Sequence, residues 1–164
     1  MRVLVVSDTH VPVLARKLPD QLLEEAQACS AILHAGDLVS SGVLDQLSGL
    51  VPTYAVHGNQ DSPTVRARLP SQSTVTLGSW TIGVVHGHEG TGIYTEDRAF
   101  NAFASQRVDI IVFGHSHQPL NMKREGILMF NPGSAVAGRG GQGNTFGLLE
   151  LGDSVDSKIV HVTS

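Results

Sequence analysis

Five short polar blocks, each closing an apolar run, constrain this chain more than anything else in it. They are Ser7-Asp8-Thr9-His10, His34-Ala35-Gly36-Asp37, His57-Gly58-Asn59, His86-Gly87-His88 and Gly114-His115-Ser116-His117. The runs before them read as strands, and the stretches between are long enough for a strand, a connection and a return. A chain built this way brings oxygen and imidazole donors from distant positions to neighbouring strand ends, the arrangement a binuclear metal site requires. Two residues apart on extended chain, side chains share a side, so Asp8 with His10 and His115 with His117 are each expected to present two donors together. Glycine beside Asp37, Asn59 and His86 is expected to let the backbone turn sharply.

The first third alternates strand and helix patterns: RVLVV, LPDQLLEEAQA, AILHAG, SGVLDQLSGL and PTYAVHG. That alternation predicts βαβ units in a mostly parallel sheet, with ligands beyond the carboxyl ends of the strands. From residue 72 strands follow one another through short turns such as REG and LGD, interrupted by the helical YTEDRAFNAFASQ, which predicts a second, largely antiparallel sheet. The expected fold class is α/β, two sheets face to face with helices outside. Residues 133–147 hold six glycines around Arg139 and read as a loose surface loop.

At 164 residues the chain is expected to be one domain, 1–164, with a continuous core. Hydrophobic residues at 41%, charged residues at 16% and a mean hydropathy of +0.05 exclude disordered and membrane-spanning classes. A net charge of −4, with no run of Lys and Arg interleaved with aromatics, disfavours polymeric nucleic acid as a partner. The lone Cys29 cannot form an intramolecular disulfide, and the N-terminal apolar run is too short for a signal-peptide core, so a cytoplasmic location is expected.

Carboxylate, amide and imidazole donors without thiolates suit Mn²⁺, Fe²⁺, Ni²⁺ or Zn²⁺ and argue against a structural Cys-type zinc site. The blocks resemble the calcineurin-like metallophosphoesterases, whose pattern is D-x-H, G-D, G-N-H-[DE], H and G-H-x-H. The match runs from 8 to 117, and Asn131-Pro132-Gly133-Ser134 resembles the small bacterial and archaeal phosphodiesterase branch. The resemblance implies a four-layer α/β/β/α sandwich of two mixed β-sheets flanked by helices. It also implies two divalent cations, Mn²⁺ foremost. Asp8, His10 and His117 would hold the first, Asp37 would bridge, and Asn59, His86 and His115 would hold the second. Cations about 3.5–4 Å apart would lower the pKa of a bridging water and clamp phosphoryl oxygens during in-line attack by hydroxide.

The implied function is hydrolysis of small or nucleotide-like phosphodiesters, with Asp37, Asn59 and His88 nearest the chemistry. His88, two residues after His86, is expected to touch substrate or support the donors. The alternative is a catalytically weak metal-binding scaffold that holds a protein partner; association into a homo-oligomer is compatible with either. Two departures stand out: Gln60 replaces the His of G-N-H, and Ser40 replaces a frequent acidic residue. An amide cannot act as general acid near neutral pH, so good leaving groups are expected. His34 and His57 are candidate supports for the donors, Asp61 a candidate partner for an imidazole, and Arg139 a candidate phosphate contact. Asn131 is expected to end a strand in a turn, His161 to be structural or exposed in the last strand, and Met122, Met129 and Trp80 to pack.

Overall fold

The computed structural model describes residues 1–163. Strand β1 (Arg2–Val6) shows why its sequence is apolar without alternation: both its faces are covered. Val3 and Val5 point into the core between the two sheets, while Leu4 and Val6 point the other way, toward the helices. Each such buried side chain contributes roughly 1.5–3 kcal/mol. β1 pairs in parallel with β2 (Ala31–His34), which pairs in parallel with β3 (Thr53–Ala55). Helices α1 (Asp20–Gln27) and α2 (Ser41–Ser48) make the crossovers and bury Leu22, Ala26, Val43, Leu44 and Leu47 against the outer face.

The expected αβ alternation in the first third is therefore present, and the chain adds antiparallel β9 (Thr145–Leu151) and β10 (Val155–His161) on the free side of β1. A third helix, α3 (Pro63–Arg68), was not expected. Its signal lies in Ser62-Pro63: the Ser62 hydroxyl accepts from the Val65 N–H, and proline fits the first helical position, where no N–H is needed.

The second sheet corrects the expectation of a largely antiparallel arrangement. Its order is β4 (Gln72–Leu77), β5 (Trp80–Val85), β6 (Ile110–Val112), β8 (Ile127–Asn131) and β7 (Leu120–Arg124). The three central strands β5, β6 and β8 are parallel; only edge strands β4 and β7 run antiparallel. Consecutive strands through short turns suggested hairpins, and the hairpins exist, but the long returns through α4 (Thr95–Ala102) and through 113–119 restore parallel pairing at the centre. The Arg124-to-Ile127 turn has Glu125 and Gly126 at φ 50° and 81°, the left-handed pair that a two-residue hairpin demands. α4 covers the outer face through Ala99, packed near Phe103, Ile111, Phe113 and Met129. The fold is thus the expected α/β class in four layers, with two mixed five-stranded sheets between helices.

Met129 and Trp80 pack as expected, but Met122 is 45% exposed because β7 is an edge strand with its middle facing solvent. Cys29 is buried just past the end of α1, and burial pushes its thiol up to about 11. His161 is exposed in β10. Among the described residues no helix is long and apolar enough to cross a membrane.

Candidate metal centre

Five of the six parallel strands, β1, β2, β3, β5 and β6, each end in a polar block on one rim, and there the backbone departs from the expected extended form. Asp8, His10, Asp37, His115 and His117 have φ of 54°, 43°, 58°, 69° and 59°. Left-handed backbone at a non-glycine residue costs roughly 1–2 kcal/mol, so each must be held by its surroundings. The hydrogen bonds that do so cross between blocks: Asp8 N–H to Gly36 O (2.9 Å), His10 N–H to Asp37 O (3.0 Å), and His115 N–H to Asp8 Oδ2 (2.9 Å). Asp8 and His10 do converge, but through left-handed turns rather than β alternation. His115 and His117 separate, one toward His86 and one toward His10.

Glycine serves the site in two ways. Gly36 and Gly87 take φ of +99° and +97°, the sharp turns expected beside Asp37 and His86. Gly58 and Gly114 are there for space: a Cβ on Gly58 would collide with the Asp37 carboxylate and the His86 ring, and one on Gly114 with Ser7 and Asp8.

Asp8 Oδ2 is satisfied by the Ser7 hydroxyl (2.6 Å) and the His115 N–H, whereas Oδ1 is buried with no hydrogen-bond partner. Around that bare oxygen stand His117 Nε2 at 3.3 Å, His10 Nε2 at 3.7 Å and His86 Nε2 at 3.8 Å. Asp37 Oδ1 accepts from the Gln60 N–H (2.8 Å), and Oδ2 faces both His86 Nε2 (3.2 Å) and His10 Nε2 (3.5 Å). Asn59 Oδ1 lies 3.1 Å from His86 Nε2.

The far nitrogens decide what these contacts are. His86 Nδ1 donates to Ala35 O (2.7 Å) and His117 Nδ1 to Ala137 O (2.8 Å), so in the neutral rings both Nε2 atoms are bare lone pairs aimed at carboxylate oxygens. Donors facing donors of electron pairs at this depth need a cation or extra protons between them. The donor set Asp8, His10, His117 and the set Asp8, Asp37, His86 each fit a divalent ion, and the backbone carbonyls on the far nitrogens fix the rings as metal sites require.

Electrostatics agree. Burial alone would raise the Asp8 carboxyl, but the neighbouring His10, His117 and His86 imidazoles hold it well below the usual carboxylate range. Asp37 is lowered likewise, burial being outweighed by its bond to His86. Burial would lower His86 and His117, yet Asp37 and Asp8 raise them above the ordinary imidazole value. His115 and His88 are lowered, by burial and then by the charge of His86.

Around these donors the structure redistributes several expected roles. Asp61 bonds no imidazole; its carboxylate accepts the backbone N–H of Asp37 (2.9 Å), Val39 (2.6 Å) and Gly58 (2.7 Å), tying two blocks together. His34 does not reach a carboxylate either: it accepts from Gly36 N–H (3.1 Å) and lies 3.0 Å from the Thr9 hydroxyl, and burial takes it down to about 4, so it is a neutral brace. His57 Nδ1 is buried without a partner and joins neither donor set. The His88 ring stands beside His86 and His115, centroids 5.3 and 6.2 Å away, with Nε2 3.2 Å from Glu89.

Asn131 ends β8 in the expected turn and adds a function no sequence signal separated from that turn. Its Nδ2 donates to Gly114 O (3.0 Å) and Ser116 Oγ (3.1 Å), bracing the His115–His117 segment. Ser134, which sequence reasoning missed, donates to Asp8 O (2.7 Å) while accepting from Ala137 N–H (2.9 Å). Residues 133–147 are therefore not a loose loop: this segment straps the site and carries Arg139 to a cleft of about 370 Å³ that also touches Asp37, Asn59, Gln60 and His117.

The family model described as a calcineurin-like phosphoesterase superfamily domain matches residues 1–154. A probable metallophosphoesterase of Methanothermobacter thermautotrophicus is 31% identical over 160 residues, covering 95% of this chain and 90% of the relative. Vps29 from Entamoeba histolytica, solved in complex with Zn²⁺, superimposes with a TM-score of 0.78 at 25% identity, covering 99% of this chain and all of that one. A structure described as a novel archaeal phosphodiesterase shares the fold, with a TM-score of 0.74 at 20% identity over 98% of this chain and 100% of the other.

Proposed function

Because the chain belongs to the calcineurin-like phosphoesterase superfamily, we propose that residues 1–164 form one domain that hydrolyses small or nucleotide-like phosphodiesters with two divalent cations, Mn²⁺ foremost. The observation that carries this reading is the bare, buried Asp8 Oδ1 ringed by three imidazole nitrogens, with one Asp37 oxygen facing both His10 and His86. Asp8, His10 and His117 would hold one cation and Asn59, His86 and His115 the other, with the Asp37 carboxylate facing both sets. Bound there, divalent cations supply an acidified water as nucleophile and positive charge for the phosphoryl oxygens.

The chain's own residues decide the rest. The Asn59 oxygen adds no charge, so the anionic donors do not cancel the cations entirely. His88, beside His86 and His115, contacts the substrate. Gln60 lines the cleft where a proton donor would help the departing oxygen, and its amide cannot give one. Esters with acidic leaving groups are therefore cleaved in preference to alkyl or protein phosphomonoesters.

The test strips the protein with chelator, reloads it with Mn²⁺ and compares bis-p-nitrophenyl phosphate with the p-nitrophenyl monoester. Metal-restored cleavage that favours the diester is the expected result. No cleavage with any divalent ion, despite two ions bound per chain, overturns it. The whole-chain likeness to Vps29 favours a second reading, a catalytically weak metal-binding scaffold for a protein partner, and that outcome would select it.

A further inference from the structure

Arg139 stands on the strap over the metal centre, and its placement is built rather than incidental. Its backbone N–H donates to His117 O (2.9 Å). The neighbouring Gly138 N–H donates to Asn144 Oδ1 (2.9 Å), and Gly138 is pinched so closely against Gly143 that no Cβ would fit. The preceding Ala137 carbonyl accepts from His117 Nδ1. Three bonds thus fix the main chain from Ala137 up to the Arg139 N–H at the His117 end of the cleft. Arg139 lines that cleft together with Asp37, Asn59 and Gln60.

Six of the ten other Lys and Arg side chains are committed: Arg2 to Glu25 and Glu150, Lys17 to Asp20, Arg68 to Asp45, Arg124 to Asp97, Arg66 and Arg98 to backbone carbonyls. Arg16, Arg107, Lys123 and Lys158 are free among the described residues, but none of them lines this cleft. Arg139 has no ion-pair or hydrogen-bond partner for its side chain among the described residues. At the same rim Val13 and Leu14, just after His10, are 69% and 51% exposed. That end of the cleft offers a planar cation beside apolar surface, a match for a phosphate carried on a nucleoside-like body. The scissile phosphodiester has a single negative charge, which cations held by the donor residues would meet without Arg139.

We infer that Arg139 is a specificity-determining residue that takes a second phosphate of the substrate, flanking the scissile diester at the His117 end of the cleft. The inference rests on the proposed phosphodiesterase reading and names its substrate class: phosphodiesters that carry an additional phosphate, such as a nucleotide fragment with a terminal phosphate.

The experiment compares Mn²⁺-loaded wild type, Arg139→Gln and Arg139→Lys on the p-nitrophenyl ester of thymidine 5′-phosphate with and without a 3′-phosphate. Wild type is expected to prefer the 3′-phosphorylated ester by about tenfold or more in kcat/KM. The ratio is expected to fall to within about twofold in Arg139→Gln and to recover in part in Arg139→Lys, whose ammonium keeps the charge but not the fork. A wild-type ratio near one, or a ratio that Arg139→Gln leaves unchanged, overturns the inference. Calorimetric binding of thymidine 3′,5′-bisphosphate to the same proteins reads the site without turnover. Arg139-dependent binding with neither ester cleaved keeps this inference and discards the diesterase reading; cleavage with Arg139-independent binding does the reverse.

Discussion

His10 Nε2 faces His117 Nε2 across 3.2 Å, though 107 residues separate the two in the chain. Since His117 spends its Nδ1 proton on Ala137 O, its Nε2 is a lone pair pointed at another ring nitrogen and at the unpartnered Asp8 Oδ1. Without metal the contact holds only with a proton between the two nitrogens; a cation beside Asp8 Oδ1 would take that proton's place. The site's response to metal, pH and substitution follows from that contact.

Asp37→Asn is expected to lower kcat/KM by at least about a hundredfold, because even partners that merely orient ligands are worth 10–100-fold. The amide puts an N–H₂ where one carboxylate oxygen faces His10 and His86. Circular dichroism should remain that of the wild type; retained turnover with metal bound would refute the bridging role.

Metal affinity should rise with pH. His86 and His117 hold protons above the ordinary imidazole value of about 6.5 in the metal-free protein. Their stabilising contribution is complete below that value and is lost as pH rises through the elevated ones, since there the folded chain gives up its extra protons. Metal needs those nitrogens bare, so binding releases protons, and added Mn²⁺ should raise Tm most on the alkaline side of this window. Calorimetry in buffers of different ionisation enthalpy counts the protons; no release would contradict the assignment.

Gln60→His places an imidazole where the departing oxygen lacks a proton donor. The Gln60 side chain is exposed in the cleft and only its backbone N–H binds Asp37, so the exchange should leave the donor geometry in place. Alkyl esters should gain about tenfold or more and aryl esters less, flattening the dependence of rate on leaving-group pKa. An unchanged slope would show that Gln60 is not what limits poor leaving groups.

Asp61→Asn should destabilise the protein by roughly 2 kcal/mol or more and weaken metal binding with it. Three backbone donors converge on this buried carboxylate, and an amide can satisfy fewer while setting its own N–H₂ against them. Urea unfolding and Mn²⁺ titration read the two effects. Loss of stability at unchanged metal affinity would confine Asp61 to the fold.

Much of the fold was legible because apolar period and turn chemistry are local. RVLVV, AILH and IIV are strands for the reason their sequences suggest: both faces are buried, so alternation disappears. The second sheet was misread because pairing direction depends on where a strand returns, which the spacing of β5, β6 and β8 does not state. Helix α3 went unseen because a six-residue helix has no useful periodicity; only Ser62-Pro63 announced it.

At the site, the residue types were readable and their support was not. Asp8, His10, Asp37, Asn59, His86, His115 and His117 stand out because imidazole, amide and carboxylate groups at strand ends have few reasons to recur there. Sequence by itself also determined that Gln60 cannot supply a proton, since that is a property of the side chain alone. Only the tertiary structure decided that five of those seven residues sit in left-handed backbone, that Asp61 and Ser134 grip main-chain groups rather than rings, and that a glycine-rich segment brings Arg139 to His117. The physical reason is the same in each case: a side chain's chemistry is carried by the residue, whereas the partner it meets is chosen by how the chain folds back on itself, across 107 residues for His10 and His117.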